Sequence, residues 1–239
     1  MLLLAIDTAT SAITVALHDG ESVLAESTTL DSRRHGEYVA PAMAGVLAKA
    51  GRVPADVTAV VSGTGPGPFT GLRVGLVTAR TFAFARGIPV FGLCSLDALA
   101  HEAWLEGAVG EGQSCVVATD ARRKEVYWAR YEITVNGAIR RGAPMVAKAA
   151  VIAHEVRGVP VIGRGALLYA ESFGPRVGPL DVSAGALADL AARVRSARAS
   201  AAGCACPGCQ PAPSPSSRSR PASLPSAVAS VRRRSSANS

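Results

Sequence analysis

Long apolar runs are missing from this chain. No stretch of eighteen apolar residues occurs, so no segment is long enough to cross a bilayer as a helix. The first residues, Met1 to Ile6, are cut short by Asp7. They lack a basic opening and a cleavage pattern, so a secretory signal is not expected. Cysteine is sparse in the body. Cys94 and Cys115 stand isolated, which argues against a disulfide framework and fits a reducing cytoplasm. The histidines His18, His35, His101 and His154 have no ligand spacing, so no metal site is expected. His35 is read as a partly exposed loop residue. No Gly-x-Ser-x-Gly elbow and no arguable Ser/His/Asp set are present, and no catalytic residue is assigned.

Acidic residues are missing from the last part of the chain. Seven of the 25 basic residues are arginines beyond Val194, where there is no lysine and no acid. Without them the basic residues only match the 18 acids, so the net charge of +7 belongs to the tail. A neutral body lacks the electrostatic footprint of an independent nucleic-acid binder. Residues 199–239 contain no aromatics and few large apolar side chains, so they are expected to be disordered. The segment reads as a genuine basic tail or as GC-rich coding sequence out of frame. Its Cys204, Cys206 and Cys209 lack a fourth zinc ligand.

What is present centres on Ser62 to Leu76. An apolar run, Val57 to Val61, precedes it and reads as a buried strand. The following segment, Gly71 to Arg86, reads as a helix with Thr70 as N-cap. A glycine-rich strand-to-helix turn suggests a phosphate cradle. Here Pro66 and Pro68 remove two N–H donors. No Gly-Lys-Ser/Thr follows, and Thr70 stands where a dinucleotide-binding loop needs its third glycine. In the helix, Gly71, Gly75, Ala79 and Ala83 recur every four residues and form one smooth stripe. Glycines inside a helix cost about 1 kcal/mol each, so close backbone approach must offset them. Leu72, Val74, Leu76, Val77, Phe82 and Phe84 make the other sides apolar, so burial against more than one neighbour is expected. The stripe faces either this chain's own core or another protein chain.

The run from Gly65 to Leu76 resembles the signature of the bacterial TsaB (YeaZ) family, the dimerization subunit of the tRNA threonylcarbamoyladenosine (t6A) synthesis machinery. Leu4 to Thr10, His35 to Pro41 and Thr119 to Trp128 are similar to further family segments, in the same order. The resemblance covers about residues 1–194. Pro68 departs from the family, which usually has Ser there. The resemblance implies a cytoplasmic, non-catalytic scaffold that binds and stabilises a TsaD-type transferase acting on adenosine 37. It also implies a TsaE-type ATPase as partner, tRNA contact only through the complex, and no membrane. A homodimer without the partner stays open. The implied partner-binding residues are Tyr38, Met43 and Leu47 on one helix, with Gly71, Leu72, Gly75, Leu76 and Ala79 on the next. Arg73 stands beside the stripe and could meet a carboxylate across the interface.

The first hundred residues read as three strands, a helix, a strand, the glycine helix, a strand and a helix. The strands are Leu2–Asp7, Ala12–His18, Val23–Leu30, Val57–Ser62 and Val90–Cys94. The helices are Gly36–Ala50, Gly71–Arg86 and Leu96–Leu105. This order is similar to the ribonuclease-H-like unit of the actin/Hsp70/sugar-kinase superfamily. A weaker second copy follows a hinge at Gly107 to Gly112. Its strands are Cys115–Asp120, Glu125–Ile133 and Val159–Gly163, with a turn at Asn136 and Gly137. The expectation is an α/β fold of two such subdomains in an actin-like arrangement, 1–106 and 107–198.

In that frame Asp7-Thr8-Ala9-Thr10 occupies the superfamily's phosphate hairpin, with Ala9 where a glycine normally allows phosphate to approach. Asp7, Thr8, Thr10, Gly163 and Gly165 are therefore vestigial cofactor-site candidates. No cofactor is expected to bind tightly, and ATP or ADP only weakly or shared with the partner. Arg122, Arg123 and Lys124 read as a solvated basic turn. The rival function is an autonomous ATP-binding kinase or ATPase of the same fold. An independent RNA-binding protein would rely on the arginine tail alone.

Overall fold

A computed structural model of the chain describes residues 1–31 and 34–203, of which 198–203 by backbone alone. The expected tail and its cysteines lie outside the described residues, although a helical backbone continues past Ala199 to Gly203. Residues 1–201 form one compact unit.

The first sheet comprises β1 (Leu3–Asp7), β2 (Ala12–His18), β3 (Val23–Leu30), β4 (Ala59–Gly63) and β5 (Val90–Leu93), in the order β3-β2-β1-β4-β5. β1, β2 and β3 are antiparallel neighbours, while β4 and β5 run parallel to β1. The second sheet comprises β6 (Ser114–Arg122), β7 (Glu125–Thr134), β8 (Gly137–Lys148) and β9 (Val161–Ile162), in the order β8-β7-β6-β9. The order 3-2-1-4 thus occurs in both sheets, and the antiparallel and parallel pairings correspond. This is the expected α/β fold of two ribonuclease-H-like sheets.

The helices are α1 (His35–Lys49), α2 (Phe69–Arg86), α3 (Ser95–Leu105), α4 (Ala149–Ile152), α5 (Arg164–Leu168) and α6 (Ala184–Gly203). Strand alternation decides which helix covers which face. Leu4 and Ile6 of β1 pack outward with Val39, Val46, Ala79 and Ala83 of α1 and α2. Leu3 and Ala5 pack inward with Leu96 and Leu99 of α3, Leu187 of α6, and Val117 and Tyr131 of the second sheet. Both faces of β1 are buried, which is why its sequence is continuously apolar. The far face of the second sheet is covered by a third cluster that includes Trp128, Ile152 and Ala166.

Four local expectations need correction. The strand expected over Val57–Ser62 is Ala59–Gly63, because Pro54–Asp56 forms a 3-10 turn and Val57 leaves it in extended conformation. The strand expected over Val159–Gly163 shrinks to Val161–Ile162, ended by Gly163 at φ +98°. Thr70 is not the N-cap of α2. Pro68 holds that position, and no side chain caps the helix. Nor is α2 buried all round: Phe69, Val77 and Phe84 are 71%, 55% and 89% exposed. The long edge strand β8 was not expected at all, since Arg140, Arg141, Gly142 and Pro144 hide its alternation.

Candidate functional site

The glycine-rich segment does clamp something, but it is this chain's own first hairpin. Gly63, Gly67, Gly71 and Gly75 stand every four residues, and all four face the stretch Asp7 to Ala9. A Cβ at Gly63 would collide with the Asp7 carboxylate, and one at Gly67 with the Ala9 backbone. At Gly71 it would lie 2.9 Å from the Thr8 carbonyl oxygen, and at Gly75 2.5 Å from Thr8 Oγ1. The Thr8 hydroxyl donates to the Gly71 carbonyl (2.7 Å) and accepts from the Gly75 N–H (2.9 Å). It therefore stands between the two partners of an ordinary i to i+4 helical bond. Close approach is the compensation that the two helical glycines require.

Asp7 is sealed by the same packing. Its carboxylate accepts from the Ala9 N–H (2.7 Å) and the Ser95 hydroxyl (2.5 Å), and it is fully buried. Burial pushes its pKa up to about 6, against the hydrogen bonds from Ser95 and Ala9 that favour the charged form. His35 is not a loop residue. It opens α1, is buried, and its Nε2 lies 3.1 Å from the Thr10 carbonyl oxygen.

Beside this clamp lies a cleft of about 330 Å³. Thr8, Thr10 and Ser11 line it from the hairpin, and Thr70, Gly71 and Val74 from α2. Thr119, Asp120 and Arg122 of β6, Arg164 of α5, and Asp181 complete it. Arg164 and Asp181 form a two-pronged ion pair, with Nε to Oδ1 at 2.9 Å, and Ser11 donates to the same Asp181 oxygen. Thr119 Oγ1 is buried without a hydrogen-bond partner. Arg122, Arg123 and Lys124 turn between β6 and β7 at positive φ, and all three are exposed.

Four of the five cofactor-site candidates are already engaged within this chain. The Asp7 carboxylate is walled off and the Thr8 hydroxyl is consumed by α2. Gly163 and Gly165 pack on the Ala118 carbonyl oxygen, where a Cβ would come within 2.5 and 2.9 Å. Thr10 does line the cleft, and its hydroxyl accepts from the Ala12 N–H, which leaves its own proton for a ligand.

The partner-binding expectation changes for five residues. Met43 and Leu47 belong to the outer core, and Gly71, Gly75 and Ala79 are the buried row of α2. Their surfaces are used inside this chain. Tyr38, Leu72 and Leu76 are half-buried. Arg73 is exposed, its guanidinium 5.1 Å from the Phe69 ring centre.

Comparison with known proteins places this architecture. The family model TsaD, tRNA N6-adenosine threonylcarbamoyltransferase, matches residues 22–186. The solved structure of YeaZ from Pseudomonas aeruginosa superposes with a TM-score of 0.68 at 30% identity, covering 82% of this chain and 92% of that one. The chain belongs to the TsaB/YeaZ family. An uncharacterized protein of Mycobacterium tuberculosis is 50% identical over 131 residues, 54% of this chain and 58% of that protein. The protein of Escherichia coli named tRNA threonylcarbamoyladenosine biosynthesis protein TsaB is 37% identical over 137 residues, 57% and 58% of the two chains. These matches thus span 58% of the curated relatives' length. For a TsaB/YeaZ chain the glycine signature is explained by the Thr8 clamp. Apart from Arg73, the exposed face of α2 was missed, as were Thr119 and the Arg164–Asp181 pair. The last two come from segments distant in sequence, and no local pattern announces their meeting.

Proposed function

We propose that this chain is a non-catalytic subunit of the tRNA t6A37 machinery that binds and stabilises a TsaD-type transferase through α1 and α2. One observation carries the reading. Phe69, Arg73, Val77, Arg80 and Phe84 form an exposed stripe on α2, whose opposite face this chain already fills. Large apolar side chains left in solvent along one helix face suit a protein contact. On α1, Gly36, Ala40, Ala44 and Ala48 also repeat every four residues and are exposed, with open space around Gly36. Small side chains let a partner helix approach closely. Both helices lie on the outer face of the first sheet.

The name of the Escherichia coli relative supports the pathway, and the match to the TsaD model supports a partner of related fold. The sealed Asp7 supports a scaffold without chemistry of its own. On this reading tRNA and a TsaE-type ATPase are reached only through the complex, in the cytoplasm. A homodimer would use the same stripes in the partner's absence. Nucleotide is held weakly or shared, and not tightly by this chain. Among the described residues no helix is long and apolar enough to cross a membrane.

Phe84→Asp and Val77→Asp should leave the melting temperature unchanged and abolish co-purification with the TsaD-type subunit. Unchanged co-purification would remove these helices from the interface. The isolated chain should show no threonylcarbamoyl transfer and no saturable heat on ATP titration. Turnover or tight ATP binding by the chain alone would favour the autonomous enzyme.

A further inference from the structure

A second cavity, of about 310 Å³, opens between β3, α3 and α6, and the proposed function makes no use of it. Glu26, Glu102, Glu106 and Asp189 line it, with no lysine or arginine among its lining residues. Two of these carboxylates are already satisfied. Glu26 Oε1 accepts from Thr14, from the Ser183 hydroxyl and from the Gly185 N–H at the start of α6. Asp189 accepts from Arg193 Nε and lies 2.7 Å from His101 Nε2. Glu102 takes one backbone hydrogen bond, from Ser183, and Glu106 is exposed to solvent. They stand one turn apart, Glu102 in α3 and Glu106 capping its end, where like charges repel, and neither has an ion pair among the described residues. Glu102 Oε2 is buried with no hydrogen-bond partner.

An independent polar group points into the same space. His18 is 1% exposed, and its Nε2 has no hydrogen-bond partner. Its Nδ1 accepts from the Gly20 N–H (2.9 Å), so the neutral ring carries its proton on Nε2. That nitrogen lies 3.7 Å from Asp189 Oδ1, beyond hydrogen-bond reach. A protonated Nε2 cannot ligate a metal. Among the described residues, moreover, no three His, Cys, Asp or Glu side chains converge as metal ligands do. The cation that suits spread carboxylates is one with several separate N–H donors. Val23, Leu105 and Ala186 supply apolar wall for methylene groups.

We propose that this cavity binds an aliphatic ammonium group, which donates to Glu102 and Glu106 and leaves Asp189 free to close on His18. The ammonium could be that of a free diamine or of a lysine side chain. Burial and the charges of Glu106 and Glu26 hold the Glu102 pKa at about 7, so bound cation and bound proton compete there. The other groups facing the cavity do not reverse this. His101 is kept neutral by burial, and Asp189 stays ionised between its His101 and Arg193 partners.

The test is thermal melting and calorimetry of the full chain at matched ionic strength. The probes are 1,4-diaminobutane, N-acetyl-lysine methylamide and magnesium chloride. One amine should give a saturable rise in melting temperature at pH 8, and affinity should fall about tenfold at pH 6, following ionisation of Glu102. The stronger of the two amines identifies the source. Glu102→Gln, which removes the charge and keeps an oxygen for the Ser183 N–H, should fold at least as stably and lose the response, and Glu106→Gln should weaken it. No saturable shift with either amine at pH 8 would overturn the proposal. So would an equal response from Glu102→Gln or from magnesium alone.

Discussion

Asp7 is a carboxyl group held in the interior by one hydroxyl and one backbone N–H. In the unfolded chain it ionises near 3.8, and in the folded chain near 6. Between those values the folded state keeps a proton that the unfolded state has lost. Stability from this group is complete below about pH 4, declines as pH rises through about 6, and is level above that. The span amounts to about 3 kcal/mol. Asp7→Asn cannot titrate and can still pair with Ser95 and Ala9. Urea unfolding of both proteins from pH 4 to pH 8 should show the variant gaining on the native chain across that window. A constant difference would mean that water reaches the carboxylate. Thr8 makes a second prediction at this scale. Thr8→Val should cost about 1–3 kcal/mol, because the Gly71 carbonyl and Gly75 N–H lose their shared hydroxyl. Gly75→Ala should also destabilise, by about 1–3 kcal/mol of overpacking, although alanine is the better helix former. A gain in melting temperature for Gly75→Ala would show that Thr8 moves aside freely.

At the scale of elements, α2 shows what a single sequence can and cannot convey. Its existence, its C-terminal end and its smooth row at Gly71, Gly75, Ala79 and Ala83 were legible from spacing alone. Which way the row faced was not. A smooth stripe fits a neighbouring helix or a neighbouring hairpin equally well, and only the Thr8 hydroxyl decides between them. The opposite stripe was overlooked because Val77 and Phe84 read as more core, when they lie on the side left uncovered. The strands β1 to β3 and β5 to β7 were recovered nearly to their ends, β1 and β2 as apolar runs between turn residues. The residues of the cleft were less legible. Asp181 and Arg164 have ordinary flanks, and their ion pair exists only once the second sheet is folded. The prediction for this scale is the pair of outcomes at Phe84 and Gly75. Phe84→Asp should change binding and spare stability, and Gly75→Ala should do the reverse. Co-purification and melting curves measured on the same preparations separate them.

For the whole molecule, the decisive joint is the start of α6 on the first sheet. The Ala184 N–H donates to Thr14 Oγ1 at 3.0 Å, and Glu26 gathers Ser183 and Gly185. Glu26→Leu leaves the Ser183 hydroxyl and the Gly185 N–H without this acceptor at a part-buried joint and should cost about 1–3 kcal/mol. Hydrogen exchange should then show the first turn of α6 losing protection before the strands of either sheet. Uniform loss across both sheets would mean that the joint has no separate stability. The same joint also sets a timetable for the newborn chain. Thr14 and Ala184 are 170 residues apart in sequence. A ribosome adding roughly 5–20 residues per second needs roughly 10–30 s to cover that distance. Throughout that interval Glu26 and Thr14 lack their α6 partners, and the inner face of the first sheet lacks Leu187. A nascent chain stalled before α6 should therefore be more open to proteases and chaperones than the finished one. Docking of α6 is what releases it.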